Sequence, residues 1–190
     1  MKQICKNKIP QGAKLVFEGI VHEVYHWEQE MFDGSLVNFE RLKRSDTATI
    51  IAVVGKKIIL QEQSQPHRGS FLSLPGGRCE KGETPKDSAA RELLEETGYA
   101  SEDLILWKTV VPSCSIVWEN HYFIARDCQK RQKPHPDNGE KIKNKLISFE
   151  DFLLLSENEQ FRHKDLVGFL YRLRLHPKEK KAFKRLLIGK

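Results

Sequence analysis

Gly77-Arg78-Cys79-Glu80-Lys81-Gly82-Glu83-Thr84-Pro85-Lys86-Asp87-Ser88-Ala89-Ala90-Arg91-Glu92-Leu93-Leu94-Glu95-Glu96-Thr97-Gly98-Tyr99 reads as a loop feeding a helix. Gly76, Gly77 and Gly82 leave the backbone ahead of it permissive. Thr84 suits the N-cap, Pro85 the first helical position, and Asp87 puts an acid in the first turn. Gly98 is the expected left-handed cap at the far end. At the helical angle per residue, Glu92, Glu95 and Glu96 share one arc. Ala90, Leu93 and Leu94 lie roughly opposite and are expected to pack on a core. Each like-charge pair on that arc costs roughly a few tenths of a kcal/mol in helix stability, so a cation should offset it. Hard oxygen ligands suit Mg²⁺ or Mn²⁺, whereas zinc would ask for His or Cys. The plain alternative is a solvated acidic face. The glycine loop, the cap and Arg91 beside the cluster argue for the cation.

The stretch resembles a Nudix box: Gly, five residues, Glu, seven residues, Arg-Glu, an aliphatic, any residue, Glu-Glu, any residue, Gly, then an apolar residue. Gly77, Glu83, Arg91, Glu92, Leu93, Glu95, Glu96 and Gly98 fill its fixed positions, and Tyr99 stands where an aliphatic is more usual. Leu74-Pro75-Gly76-Gly77 resembles the family's entry into the box. The box covers about an eighth of the chain. The resemblance implies an α/β fold, an α/β/α sandwich with a mixed sheet. It also implies a divalent metal on Glu92, Glu95, Glu96 and the Gly76 carbonyl, and an Arg91–Glu83 pair that braces loop against helix.

Composition sets the frame around the box. One hundred and ninety residues suit one domain, or one domain with an appendage, with a sizeable core. Met1 to Pro10 contains no apolar h-region, so a secretory signal is not expected. No apolar run has the length of a membrane span. Cys5, Cys79, Cys114 and Cys128 are scattered without metal-ligand spacing and read as reduced thiols, which points to the cytoplasm.

Residues from about Leu15 to Leu42 read as an antiparallel hairpin turning at Asp33-Gly34. In the branch resembling ADP-ribose pyrophosphatases such a piece helps form a dimer and contributes to the substrate pocket. Trp27 and Phe39 are then candidates to stack on a nucleobase, or else core or interface aromatics. Thr47–Val54 is a buried strand by its β-branched apolar run, Gly55-Lys56 a two-residue turn, and Lys57–Gln63 the partner strand. A turn-rich loop spans Ser64–Gly69, followed by the apolar Phe71–Leu74. Arg68 is either a phosphate contact, through its bidentate fork, or a surface charge. The ADP-ribose branch often carries Glu-Gln, any residue, then Arg after this strand. Here Glu62-Gln63-Ser64 is followed by Gln65.

Beyond the box, strands are expected over Leu104–Val111, ending at Pro112, and over Val117–Ala125. A polar loop spans Lys133–Lys141, Lys145–Ile147 makes a short strand, and Ser148 caps a helix. In relatives a Glu in that loop serves as catalytic base or extra metal ligand. Glu140 matches it by distance, with Glu119 as runner-up and Glu95 of the box helix as the other candidate base. Phe161–Lys190 holds a local net charge of +8 against +6 for the chain, so the remainder carries −2. It reads as basic helices interrupted at Pro177, able to attract RNA or to present a solvated face.

The expected organisation is an N-terminal β-piece over 1–45, a Nudix core over 46–160 and basic C-terminal helices over 161–190. The leading function is Mg²⁺-dependent hydrolysis of a nucleoside diphosphate linked to another group, ADP-ribose or a nucleotide sugar, by a homodimer. The alternatives are an NTP or RNA 5′-end pyrophosphohydrolase and a nucleotide-sensing module of the same fold that does not cut.

Overall fold

The computed structural model describes residues 8–66 and 68–189. The readings made at Cys5, His67 and the stretch before residue 8 lie outside the described residues.

In chain order the strands are β1 (Lys14–Glu18), β2 (Glu23–Glu30), β3 (Leu36–Lys43), β4 (Thr47–Val54), β5 (Lys57–Gln65), β6 (Arg68–Ser73) and β7 (Gly76–Arg78). The box helix α1 (Pro85–Thr97) follows, then β8 (Tyr99–Ala100), β9 (Asp103–Val110), β10 (Ile116–Val117), β11 (Asn120–Arg126), β12 (Gln129–Lys130) and β13 (Lys141–Ile147). Helices α2 (Phe149–Leu154), α3 (Lys164–Leu175) and α4 (Pro177–Ile188) close the chain, with a 3₁₀ turn over Leu155–Glu157.

The main sheet runs β13-β5-β4-β11-β9, with β6 beside β5 and β7 beside the start of β4. It is mixed: β11 runs parallel to β4, and the other pairings are antiparallel. Side chains on a strand alternate between faces, and both faces of β4 and β11 are apolar, so both must be covered. Ile51, Val53, Tyr122 and Ile124 pack with Phe152, Phe161, Leu166, Leu170, Leu173, Phe183 and Leu187 of the C-terminal helical layer. Ala48, Ile50, Ala52, Phe123 and Ala125 face Ala89 and Leu93 of α1. The small alanines on that side let the box helix lie close to the sheet. The result is an α/β/α sandwich whose basic C-terminal helices form one of its layers.

Several local expectations are corrected. The buried face of α1 is Ser88, Ala89, Leu93, Glu96 and Thr97, while Ala90 is exposed and Leu94 half-buried. The helix is rotated so that one carboxylate of the acidic arc turns inward. The N-terminal hairpin is instead three antiparallel strands, because the chain already reverses at Gly19, whose N–H donates to the His22 carbonyl. That turn accounts for the imperfect alternation over residues 16–25. The segment 117–125 is broken at Trp118-Glu119: β10 joins the N-terminal sheet beside β3, and β11 enters the main sheet. The loop over 64–69 is shorter than expected, with β5 and β6 pairing up to Gln65 and Arg68. Strand β13 starts at Lys141 rather than Lys145, since its backbone pairs with β5 from Ser64 to Ile58 although its own apolar pattern is weak.

Cys79 and Cys128 are buried free thiols and Cys114 is an exposed one. Among the described residues no helix is long and apolar enough to cross a membrane. Leu170 of α3 is fully buried in the larger core cluster. Leu170→Ala should lower unfolding free energy by about 2–5 kcal/mol in urea titrations. A loss below about 1 kcal/mol would mean that the core does not depend on α3.

Candidate active site

The box folds as its residues dictate. The Thr84 hydroxyl accepts the Asp87 N–H at 3.2 Å, Pro85 opens α1, and Gly98 at φ 72° caps it, its N–H donating to the Leu94 carbonyl. Two glycines are required by close approach. Gly76 sits at φ 147°, where a Cβ would run into the Ala48 carbonyl, and a Cβ on Gly77 would overlap the Glu92 carboxylate. The chain therefore passes over the helix with a carboxylate pressed against bare backbone.

Arg91 organises the acidic side chains. Its Nε and Nη2 take both oxygens of Glu83 at 2.9 and 3.1 Å, and Nη1 reaches Glu92 at 2.9 Å and Glu95 at 3.1 Å. Nη2 also donates to the Arg78 carbonyl at 3.1 Å, and the Glu83 carboxylate accepts the Glu80 N–H at 2.9 Å. The guanidinium holds Glu83 below the usual carboxylate range. This pair ties loop to helix, and its charge is spent on structure.

Glu96 is 4% exposed. Its carboxylate accepts the Gly76 N–H at 2.8 Å and the Gln61 side-chain amide at 3.2 Å. Burial, followed by the nearby Glu92 and Glu140 charges, pushes its pKa up from 4.5 to about 8. Glu92 is raised as well, chiefly by burial, against the opposing pull of Arg91. Two carboxylates thus share a desolvated place with too little positive charge, which is what a divalent cation supplies. The donor set of Glu92, Glu96 and the adjacent Gly76 backbone is hard oxygen and fits Mg²⁺ or Mn²⁺. Among the described residues no three carboxylates close around one point: Glu92 and Glu95 lean on Arg91, and Glu96 on the Gly76 N–H.

These groups line a cavity of about 830 Å³. Gly76, Glu92, Glu96, Arg91 and Glu140 all face it, so the structure brings together residues 76 and 140 from opposite ends of the core. Glu140 accepts the Gln65 amide at 2.9 Å. Glu95 is not among the lining residues. Glu119 belongs to a smaller neighbouring cleft of about 380 Å³ with Asp46 and Glu83. Arg68 is exposed and lies over the Phe71 ring, outside the cavity lining. Trp27 and Phe39 stack on each other at 5.8 Å within the N-terminal sheet, and neither reaches the cavity of its own chain.

Sequence reasoning missed much of the wall. Three alternate glutamines of β5 point one way: Gln63 donates to Gln61 at 2.6 Å, Gln61 to Glu96, and Gln65 to Glu140. The period-2 repeat in Gln61-Glu62-Gln63-Ser64-Gln65 was the available signal. Arg44, stacked on Trp118 at 4.6 Å, lines the cavity with Pro112 and Asn120. A polar chain runs behind this wall. The Leu74 N–H donates to His163 Nε2 at 3.1 Å, His163 Nδ1 lies 3.4 Å from Tyr122 Oη, and that hydroxyl donates to Asp165 at 2.7 Å. Burial and then Arg162 push the His163 pKa down to about 3, so the ring is neutral and its Nδ1 carries the proton.

The NUDIX domain model matches residues 43–167. The chain belongs to the Nudix family of hydrolases. Its likeness is to the ADP-ribose pyrophosphatase branch. It is 30% identical to the ADP-ribose pyrophosphatase of Bacillus subtilis (strain 168) over 84% of this chain and 88% of that protein. It is 41% identical to the ADP-sugar pyrophosphatase of Mus musculus, over only 32% of this chain and 30% of that one. A crystal structure of an ADP compounds hydrolase shares the fold, with a TM-score of 0.71 at 20% identity over 90% of this chain and 94% of the other.

The raised Glu96 pKa has a consequence for stability without metal. Between pH 4.5 and about 8 the folded state keeps a proton that the unfolded chain has lost, so stability falls as pH rises through that window. In EDTA, Glu96→Gln should become progressively more stable than wild type from pH 5 to pH 8 and converge with it below about pH 4.5. Parallel stability–pH curves in chemical denaturation would show that Glu96 is not held in this way.

Proposed function

We propose that this chain hydrolyses the diphosphate bond of a nucleoside diphosphate linked to a second group, with ADP-ribose or a nucleotide sugar as substrate. NMP and a phosphorylated second group are the products. The observation that carries this reading is the cavity itself: half-buried Glu92, buried Glu96, the loop carboxylate Glu140, and the arginines Arg44 and Arg162 line one space of about 830 Å³. The names of the relatives from Bacillus subtilis and Mus musculus point to the same substrate class.

Glu92, Glu96 and the Gly76 carbonyl would hold Mg²⁺ or Mn²⁺, with Glu95 as a further ligand from the exposed side. The cation, when bound, supplies positive charge to the phosphate oxygens and raises the acidity of water. The chain's own residues do the rest. Glu140 is our choice of base, because it lines the cavity and only one of its oxygens is engaged, by Gln65. Glu95 is the weaker candidate base, being drawn to Arg91 at 3.1 Å and absent from the cavity lining. The Glu83–Arg91 pair keeps the loop on the helix, and the Gly76 N–H and Gln61 fix Glu96 in one orientation.

The N-terminal sheet leaves Phe17, Leu36 and Phe39 exposed, which supports a homodimer through that sheet. Trp27 and Phe39 would serve the nucleobase only in such a dimer, in the partner's cavity. The basic helices are partly neutralised within the chain, by Arg172–Glu179, Arg174–Glu157 and Lys180–Glu150. This favours a small nucleotide over RNA. A cytoplasmic location accords with the free thiols of Cys79, Cys114 and Cys128.

The test is a hydrolysis panel with Mg²⁺ holding ADP-ribose, GDP-mannose, UDP-glucose, dinucleoside polyphosphates, NTPs and 5′-triphosphate RNA. ADP-ribose should give AMP and ribose phosphate, and EDTA should abolish the reaction. Glu140→Gln should lower turnover roughly 10²–10⁴-fold with an unchanged melting temperature. Glu96→Gln should remove most turnover. Activity confined to triphosphates or RNA would sink the substrate class, and a fully active Glu140→Gln would sink its role as base.

A further inference from the structure

A site built on Glu92, Glu96 and Glu140 must still hold a substrate whose reacting part is itself anionic. Arg91 cannot help directly, because Glu83, Glu92, Glu95 and the Arg78 carbonyl take its donors. Gln65 brings no charge and is tied to Glu140. Arg44 also lines the cavity, and its guanidinium is stacked on Trp118 at 4.6 Å.

Arg162 is placed differently. It comes from the segment ahead of α3, ninety residues after β6, yet it is anchored to β6 and the stretch that follows it. The Arg162 N–H donates to the Leu72 carbonyl at 2.8 Å, and the Leu72 N–H donates to the Gln160 carbonyl at 2.9 Å. One residue on, His163 accepts the Leu74 N–H. Phe161 and Leu72 form a parallel bridge. The backbone carrying Arg162 is therefore zipped along residues 72–74, which lead directly into Gly76.

The side chain lines the cavity, with its guanidinium 5.5 Å from the centre of the Phe71 ring. Arg68 lies over the same ring at 5.1 Å. The Arg162 charge is felt by Arg44 and itself feels Arg68, Glu140 and Glu96. Among the described residues its guanidinium makes no side-chain hydrogen bond and no salt bridge. A cation held in position over an aromatic ring, crowded by other arginines and left unpaired beside carboxylates, is arranged for an anion from outside the chain.

Resting on the function proposed above, we propose that Arg162 is the residue that grips the substrate's diphosphate, its guanidinium donating to non-bridging phosphate oxygens. Arg68, over the same Phe71 ring, adds a longer-range attraction. The phosphate contact would therefore come from the helical segment that closes the fold, not from the β5–β6 turn.

Arg162→Met keeps the stem over Phe71 and removes the charge, and Arg162→Lys restores a charge without the fork. The measurements are KM and kcat on ADP-ribose, and calorimetric Kd for ADP and inorganic pyrophosphate, all with Mg²⁺. Arg162→Met should raise KM and both Kd values about ten-fold or more, with kcat changed much less and the melting temperature unmoved. Arg162→Lys should recover part of the loss, and Arg68→Ala should shift KM only about two- to three-fold. Wild-type affinity for ADP and pyrophosphate in Arg162→Met would overturn the proposal. So would a loss confined to kcat. If the wild type cleaves no nucleoside-diphosphate substrate, the proposed substrate class fails by itself, and the two Kd values still decide Arg162. Wild-type protein that binds neither ligand would overturn both.

Discussion

The structure depends on a carboxylate placed where a carboxylate is costly. Glu96 is buried under the Gly76 turn with Glu92 and Glu140 in electrostatic reach. An ionised group there needs hydrogen bonds, positive charge or both. Arg91 reaches Glu92 and Glu95 but not Glu96. Glu96 is instead met by two neutral donors, the Gly76 N–H and Gln61. That leaves it oriented and only partly compensated, a place that hard-cation charge would suit.

Much of the surrounding fold follows from this arrangement. The Gly76 N–H can reach Glu96 only if the backbone lies against Ala48, and that approach requires the positive φ at Gly76 and the missing Cβ. Gln61 can reach it only if β5 turns alternate residues toward the box helix, and Gln63 then fixes the Gln61 carbonyl. The alanines at 48, 52, 89 and 125 let α1 settle deeply enough to bury Glu96. Mutating any of these positions acts on the carboxylate through geometry, even where the side chain never touches it.

The box was legible because its chemistry is local. Cap, proline and terminal glycine are all set by spacing along the chain, and each takes the role its residue type suggests. Assigning Ala90 to the core failed because periodicity defines an arc but not which part of it the sheet covers. Here the sheet draws in Ala89 and Glu96 and leaves Ala90 in solvent. The glutamine row on β5 was written in the sequence as a period-2 repeat, but polar alternation ordinarily marks the wet face of a strand. Only the carboxylates opposite it, Glu96 and Glu140, turn that face into a support for the site.

Arg162 could not be found in the same way, because its position is decided by a partner ninety residues earlier. From sequence it belongs to a run of basic residues beside apolar helical positions, and nothing local separates it from Arg172 or Lys180. Those two are consumed by Glu179 and Glu150 on the outer surface. Arg162 is separated from them by the backbone bonds of residues 160 and 162 to Leu72 and the bond from the Leu74 N–H to the His163 ring. The same segment delivers His163 and Asp165 to Tyr122, with the imidazole kept neutral by burial. The neutral histidine beside Arg162 adds no positive charge to this wall. The C-terminal helices thus do two jobs from one set of contacts: they cover the apolar face of the sheet, and in doing so they fix a cation opposite the acidic box.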